Sequence, residues 1–267
     1  MLIAVGVARA TQDDDGSDVD SRVLPEQGVD APSDLLEDLP LPAGAGATSA
    51  DEAVAGFLDA EVAGDFEVSF GFLSDDDRRV FASPEGWVAG HANVLAPVLD
   101  YEVTDTSEGA DAASVVATVT FRASLDQVVG LVPGRAEVTW QAAVGEDGAW
   151  GVVLDASQIV PIYPDDDGAA DAARRWVDAR QGCTTPAEER PGLVGFPSLA
   201  NDLCDAEGEL RTGPVEALDE SEATPVLTAF GAEAGGAARV VRVTGSVDLG
   251  VVLVPVGDAW TVVAVLQ

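Results

Sequence analysis

The chain has 267 residues, enough for one large domain or two ordinary ones, and 47% of them are hydrophobic, so packed cores are expected. It sets 13 basic against 48 acidic residues, a net charge of −35, and every basic residue is arginine. Such a surface repels phosphate backbones and anionic headgroups, so neither nucleic acid nor the surface of an acidic membrane is an expected partner.

Richness in Ala, Val, Gly, Asp and Arg without lysine is what GC-rich coding produces, and a high-salt habitat would favour a similar surface. Residues 1–10, MLIAVGVARA, are apolar as far as Val7 and close on Ala8-Arg9-Ala10, a small-x-small cleavage pattern. The run is shorter than the roughly 20 apolar residues that span a bilayer. It reads as the remnant of a signal peptide or membrane anchor that starts upstream, or as an incidental apolar tip, and export is the expectation. No cysteine near this end supports lipoprotein anchoring.

Residues 11–47 read as an acidic linker with Pro and Gly and no sustained period. The run Asp13-Asp14-Asp15-Gly16 does not make a calcium loop, because that alignment puts Thr11 and Arg22 at the first and last ligand positions. Asp165-Asp166-Asp167-Gly168 fails likewise, with Tyr163 and Arg174 at those positions. Asp75-Asp76-Asp77 is expected at a turn or a helix start.

A first domain is expected over residues 48–164. Ser49-Ala50-Asp51-Glu52 is a capping box, and Val54, Phe57, Leu58 and Val62 recur at helical spacing up to the Gly64 cap. Phe66, Phe70 and Leu73 suggest a second short helix. Ser83-Pro84-Glu85 opens a third, with Trp87, His91, Val94, Leu95 and Val98 as its apolar face. Strands follow at 99–104 and 114–124, then a connecting turn at 130–134 and a long hairpin from Arg135 to about Ile162. That hairpin turns at Gly145-Glu146-Asp147-Gly148. Helices first and antiparallel strands after is an α+β layout with helices on one face of a curved sheet.

A second, smaller α+β domain is expected over residues 168–267. Asp165 to Gly168 reads as the hinge, and Ala169, Ala172, Ala173, Trp176, Val177 and Arg180 line one side of a helix. Strand candidates are 214–218, 225–230 and 238–247. A terminal hairpin over 251–267 turns at Gly257-Asp258 and echoes the first through Asp258-Ala259-Trp260. Cys183 and Cys204 flank a Pro/Gly-rich loop and are the disulfide candidates; such a bridge contributes about 3 kcal/mol by chain entropy, and two buried free thiols are the alternative.

The stretch AVAGFLDAEVAGDFEVSFGFLSDDDRRVF, then PEGWVAGHANV, then strands closing in DGAWGVV, resembles the nuclear transport factor 2-like superfamily. The resemblance covers roughly residues 49–164, its most telling pieces being Ala63-Gly64-Asp65-Phe66 and the late Asp-Gly-x-Trp hairpin. It implies a cone-shaped α+β fold, one such module here and a weaker second. Paired domains of this type are similar to periplasmic parts of bacterial secretion and conjugation assembly proteins. Members that are enzymes hold an Asp or His in the cone pocket, which on this chain makes Trp87, His91, Tyr101 and Trp140 the candidate pocket.

His91 is the one histidine, and general acid–base work needs a second oriented group, which no motif marks out. Nucleophile elbows and phosphate loops are absent from the sequence, and the other tryptophans are spaced as core or hairpin residues. No residue is assigned a catalytic role, and no cofactor or metal is expected. The expectation is a non-catalytic, exported or membrane-tethered envelope protein with envelope protein partners. The alternative is a small-molecule-binding protein or enzyme using the first module's pocket.

Overall fold

The computed structural model describes residues 44–91, 94–181, 194–195 and 202–267. The expected signal or anchor segment 1–10 and Cys183 lie outside the described residues, as does all of the expected linker except residues 44–47. Those four residues are folded. Ala45 N–H donates to the Gly71 carbonyl at 2.8 Å, Trp150 N–H donates to that of Ala47 at 2.9 Å, and Ala47 is buried.

Helix α1 (Ala50–Ala63) starts at Ser49, whose hydroxyl accepts the Glu52 N–H at 3.2 Å, and stops at Gly64 in the left-handed conformation. The box is not reciprocal as expected. Glu52 reaches one residue further back and takes the Thr48 N–H and hydroxyl at 2.7 and 2.8 Å. Helix α2 (Phe66–Phe70) is followed by α3 (Asp75–Phe81), whose first turn is the Asp75–Asp77 run behind the Ser74 cap. Helix α4 (Pro84–Gly90) has the expected Ser83 cap but ends at His91, so Val94, Leu95 and Val98 leave its face and lead into the sheet.

The first sheet is antiparallel in the order β1 (Val98–Glu108), β2 (Ala112–Phe121), β5 (Arg135–Val144), β6 (Trp150–Ile162). Burial alternates strictly along β2, the signature of a sheet with one covered face. Alternate residues of β2 and β5, with Val98 of β1 and Val152 and Leu154 of β6, pack with α1, α2 and α4 into a buried core drawn from residues 50–154. The long hairpin is interrupted. Residues 154–157 of β6 bulge out opposite Trp140, with the Ser157 hydroxyl accepting the Gln141 N–H and donating to the Val153 carbonyl. Asp77 of α3 docks there, accepting the Leu154 N–H at 3.0 Å and the Ser74 hydroxyl at 2.7 Å.

Between β2 and β5, where the sequence suggested only a turn at 130–134, a small hairpin forms from β3 (Ser124–Asp126) and β4 (Gly130–Val132). It reaches into the second unit. That unit comprises α5 (Asp166–Arg180), β7 (Val194–Gly195), β8 (Arg211–Ala217), α6 (Glu220–Ala237), β9 (Arg239–Thr244), β10 (Asp248–Val256) and β11 (Ala259–Leu266). Strand order is β7-β11-β10-β9-β8, antiparallel except for the β7–β11 edge. The strand expected at 225–230 is wrong: these residues lie inside α6. Asp219 and Glu222 form a reciprocal capping box there, at 2.9 and 3.1 Å, which outweighs the β-branched residues downstream, and Gly231 at φ 82° kinks the helix. The expected hinge is also a helix start, with Asp165 as cap and Gly168 within the first turn.

Strand β10 is buried on both faces. Leu249, Val251 and Leu253 pack with Ala169, Ala172, Ala173 and Val177 of α5, while Val252 and Val254 pack with Val226, Phe230 and Ala234 of α6. Leu131 of β4 joins that second face, fully buried, and so ties the first unit to it. The echo between the two closing hairpins therefore covers different layer architectures, one face covered in the first unit and two in the second.

The joint is tight. Trp260 Nε1–H donates to the Asp165 carbonyl at 3.0 Å, and Tyr163 donates its hydroxyl proton to Glu233. Gly134, before β5, faces the Gly257 turn of the last hairpin so closely that a Cβ on it would sit 2.7 Å from the Gly257 Cα. Gly134→Val is expected to cost about 1–3 kcal/mol, the usual range for overpacking. Chemical denaturation of this variant checks it, with a lowered midpoint as the expected result.

Candidate functional site

The structure brings Trp87, His91 and Trp140 into one cluster around Phe57 of α1 and places Tyr101, partly buried, at the edge of the same core. Trp87 stands edge-on to the His91 ring at 4.9 Å between centroids, and Trp140 meets Phe57 edge-on at 5.5 Å. Trp87, Trp140 and Phe57 are all at 0% exposure. The Trp87 indole N–H donates to the Ser69 hydroxyl at 2.9 Å, which fixes α4 against α2. Tyr101 lies across α1 on β1, where its hydroxyl donates to Asp59 at 2.8 Å and lies 3.2 Å from the Ala55 carbonyl.

The partner that sequence reasoning missed is Glu61. His91 Nε2–H donates to Glu61 Oε2 at 2.6 Å, with the two side chains 5% and 0% exposed. Phe66 stacks on the imidazole at 3.9 Å, so one ring face is covered and Trp87 closes an edge. Glu61 Oε1 and Trp140 Nε1 are buried without a hydrogen-bond partner. Helical geometry could have found Glu61. At 100° per residue, position 61 falls about 40° from Phe57, whereas Val62 falls about 140° away. Val62, expected on the apolar face, is indeed 43% exposed.

A carboxylate behind an imidazole is the arrangement that orients a general base. Here, however, the imidazole is walled in by Phe66 and Trp87 and the residue is only 4% exposed, so it offers a substrate little access. The space between the helices and the sheet holds Phe57, Leu58, Trp87, Trp140, Val115 and Val119, each at 0% exposure, in place of an open pocket. The pair therefore acts as a clamp between the end of α1 and the cap of α4.

Among the described residues no group of three or more His, Cys, Asp or Glu is placed to hold a metal ion. No helix there is long and apolar enough to cross a membrane. Cys204 is disulfide-bonded, while Cys183, the other candidate, falls outside the described residues. No protein-family description, curated protein or solved structure matches the chain.

Removing one member of a buried pair strands the other, at about 3–5 kcal/mol. Glu61→Leu and His91→Leu are each expected to lose stability on that scale, and the double variant to lose clearly less than their sum; a double-mutant cycle by denaturant unfolding measures it.

The tyrosines report their own burial. Burial, then the hydrogen bond to Asp59 and its charge, push Tyr101 up to about 12. Burial and Glu233 raise Tyr163 further still. Both folded values lie above the ordinary phenol, so the stability these groups contribute is complete below about pH 10 and is lost as the pH rises through the folded values. Phenolate absorbance of the native protein should show no step near pH ~10, and the denatured chain should titrate both tyrosines there.

Proposed function

We propose that the chain is a non-catalytic, exported or membrane-tethered protein of the cell envelope, whose two α+β modules serve protein interaction or assembly. The carrying observation is the filled interior of the first unit: Phe57, Leu58, Trp87 and Trp140 occupy the place where a ligand-binding module keeps its pocket. The cone-like, nuclear transport factor 2-like reading of residues 49–164 belongs to this proposal, supported by helices packed on one face of an antiparallel sheet that bulges at 154–157. Export is supported by the apolar start followed by Ala8-Arg9-Ala10, by the acidic tether, and by the bonded state of Cys204, which suits an oxidising compartment.

A second reading, a small-molecule-binding protein or enzyme centred on the first unit, is favoured by one observation only, the Glu61–His91 pair. Fractionation of cells producing the complete natural protein separates these readings. Recovery in the envelope or culture fluid with oxidised cysteines is expected, and recovery in the cytosol with free thiols overturns the proposal.

A further inference from the structure

The cavity between α3 and the tip of the β5–β6 hairpin is separate from the Glu61–His91 pair. It is a partly open cleft of about 240 Å3, with Leu73, Ala143, Trp150 and Val153 as its apolar wall. That is room for a molecule of amino-acid size. Gly151 lets β6 approach the backbone at Leu73 and Ser74: a Cβ there would lie 2.7 Å from the Leu73 carbonyl oxygen.

Arg78 lines this cavity although the residue is only 5% exposed. One end of its guanidinium donates to Asp75, but its Nε–H is buried with no partner. Gly44 lies against Nη1, where any side chain would collide with the guanidinium. Asp75 is fully engaged, since its second oxygen accepts the Glu146 N–H at 2.9 Å. Burial alone would raise the Asp75 carboxyl, yet that N–H, Arg78 and Arg79 together hold it below its ordinary value. At the rim, Arg79 bridges Asp76 at 2.9 Å and Glu146 at 2.8 Å, and both carboxylates are largely exposed.

Charge decides what this site can take. Two arginines face three carboxylates, so a lone anion enters against a local excess of negative charge and a lone cation meets buried Arg78. A zwitterion satisfies both. We propose that the cavity binds a free α-amino acid with a small or medium apolar side chain. Arg78 takes the carboxylate, Asp76 and Glu146 hold the ammonium, and Leu73 and Trp150 receive the side chain. This goes beyond the envelope reading and stands independently of it.

Calorimetric titration of the full chain with L-alanine, L-valine and L-leucine tests the site, with N-acetyl-L-valine and L-valinamide as capped controls. At least one free amino acid is expected to bind with one-to-one stoichiometry, and each capped analogue about tenfold or more weaker, because each lacks one charge-assisted contact. Ala143→Leu adds bulk to the cavity wall while leaving Arg78 unsubstituted, and is expected to weaken binding about tenfold or more while the cooperative unfolding transition persists. Arg78→Gln should do the same. The proposal is overturned by no saturable binding of any of the three up to about 10 mM, by capped analogues that bind as well as free valine, or by unchanged binding in Ala143→Leu.

Discussion

The constraint on which the architecture depends is the burial of β10 on both faces. Val251, Val252, Leu253 and Val254 are consecutive and all at 0% exposure, and burying side chains of this kind is worth about 1.5–3 kcal/mol each. A strand covered on one face would leave every second one of them in water. Two layers must therefore flank this sheet. Helix α5 supplies one, while α6 and Leu131 of the β3–β4 hairpin supply the other. The first unit is thereby recruited into the core of the second, and the Gly134–Gly257 approach lies at that junction.

The first unit meets the opposite condition. Its inner strands β2 and β5 alternate buried residues with exposed or half-exposed ones, so a single layer of helices suffices. These helices are short apart from α1, and short helices gain little from propensity alone. They are held by specific ties instead: Ser49, Ser74 and Ser83 at their starts, Trp87 to Ser69, His91 to Glu61, and Asp77 to the β6 bulge. The buried polar groups of this unit stitch helices to one another and to the sheet, with large aromatic side chains filling the space between.

Legibility varied with the range of the interaction. Helix caps at Ser49 and Ser83, the Gly148 turn and the α5 stripe were readable because each rests on residues within four positions of one another. The strand misplaced at 225–230 had a local signal too, since Asp219 and Glu222 box the helix as Ser49 and Glu52 were expected to do. Glu61 was hidden for another reason. Its helical angle places it inward, but an ionisable residue reads as solvent-facing until its partner, 30 residues away, is seen. The burial that sets it beside His91 also closes off the pocket expected there.

The capping residues, the turn glycines and the apolar stretches determined, from the sequence alone, an α+β chain with many of its elements near their observed places, although part of α6 reads there as a strand and the β3–β4 hairpin only as a turn. Periodicity and caps act over a few residues, so they are written in the order of the letters. Only the tertiary structure decided that the β3–β4 hairpin crosses into the second unit, that Glu61 meets His91, and that the guanidinium of Arg78, paired with Asp75 at one end, keeps an unpartnered Nε–H beside a cavity. Each of these depends on which surfaces remain to be covered once the elements have packed, a quantity no local stretch of sequence contains.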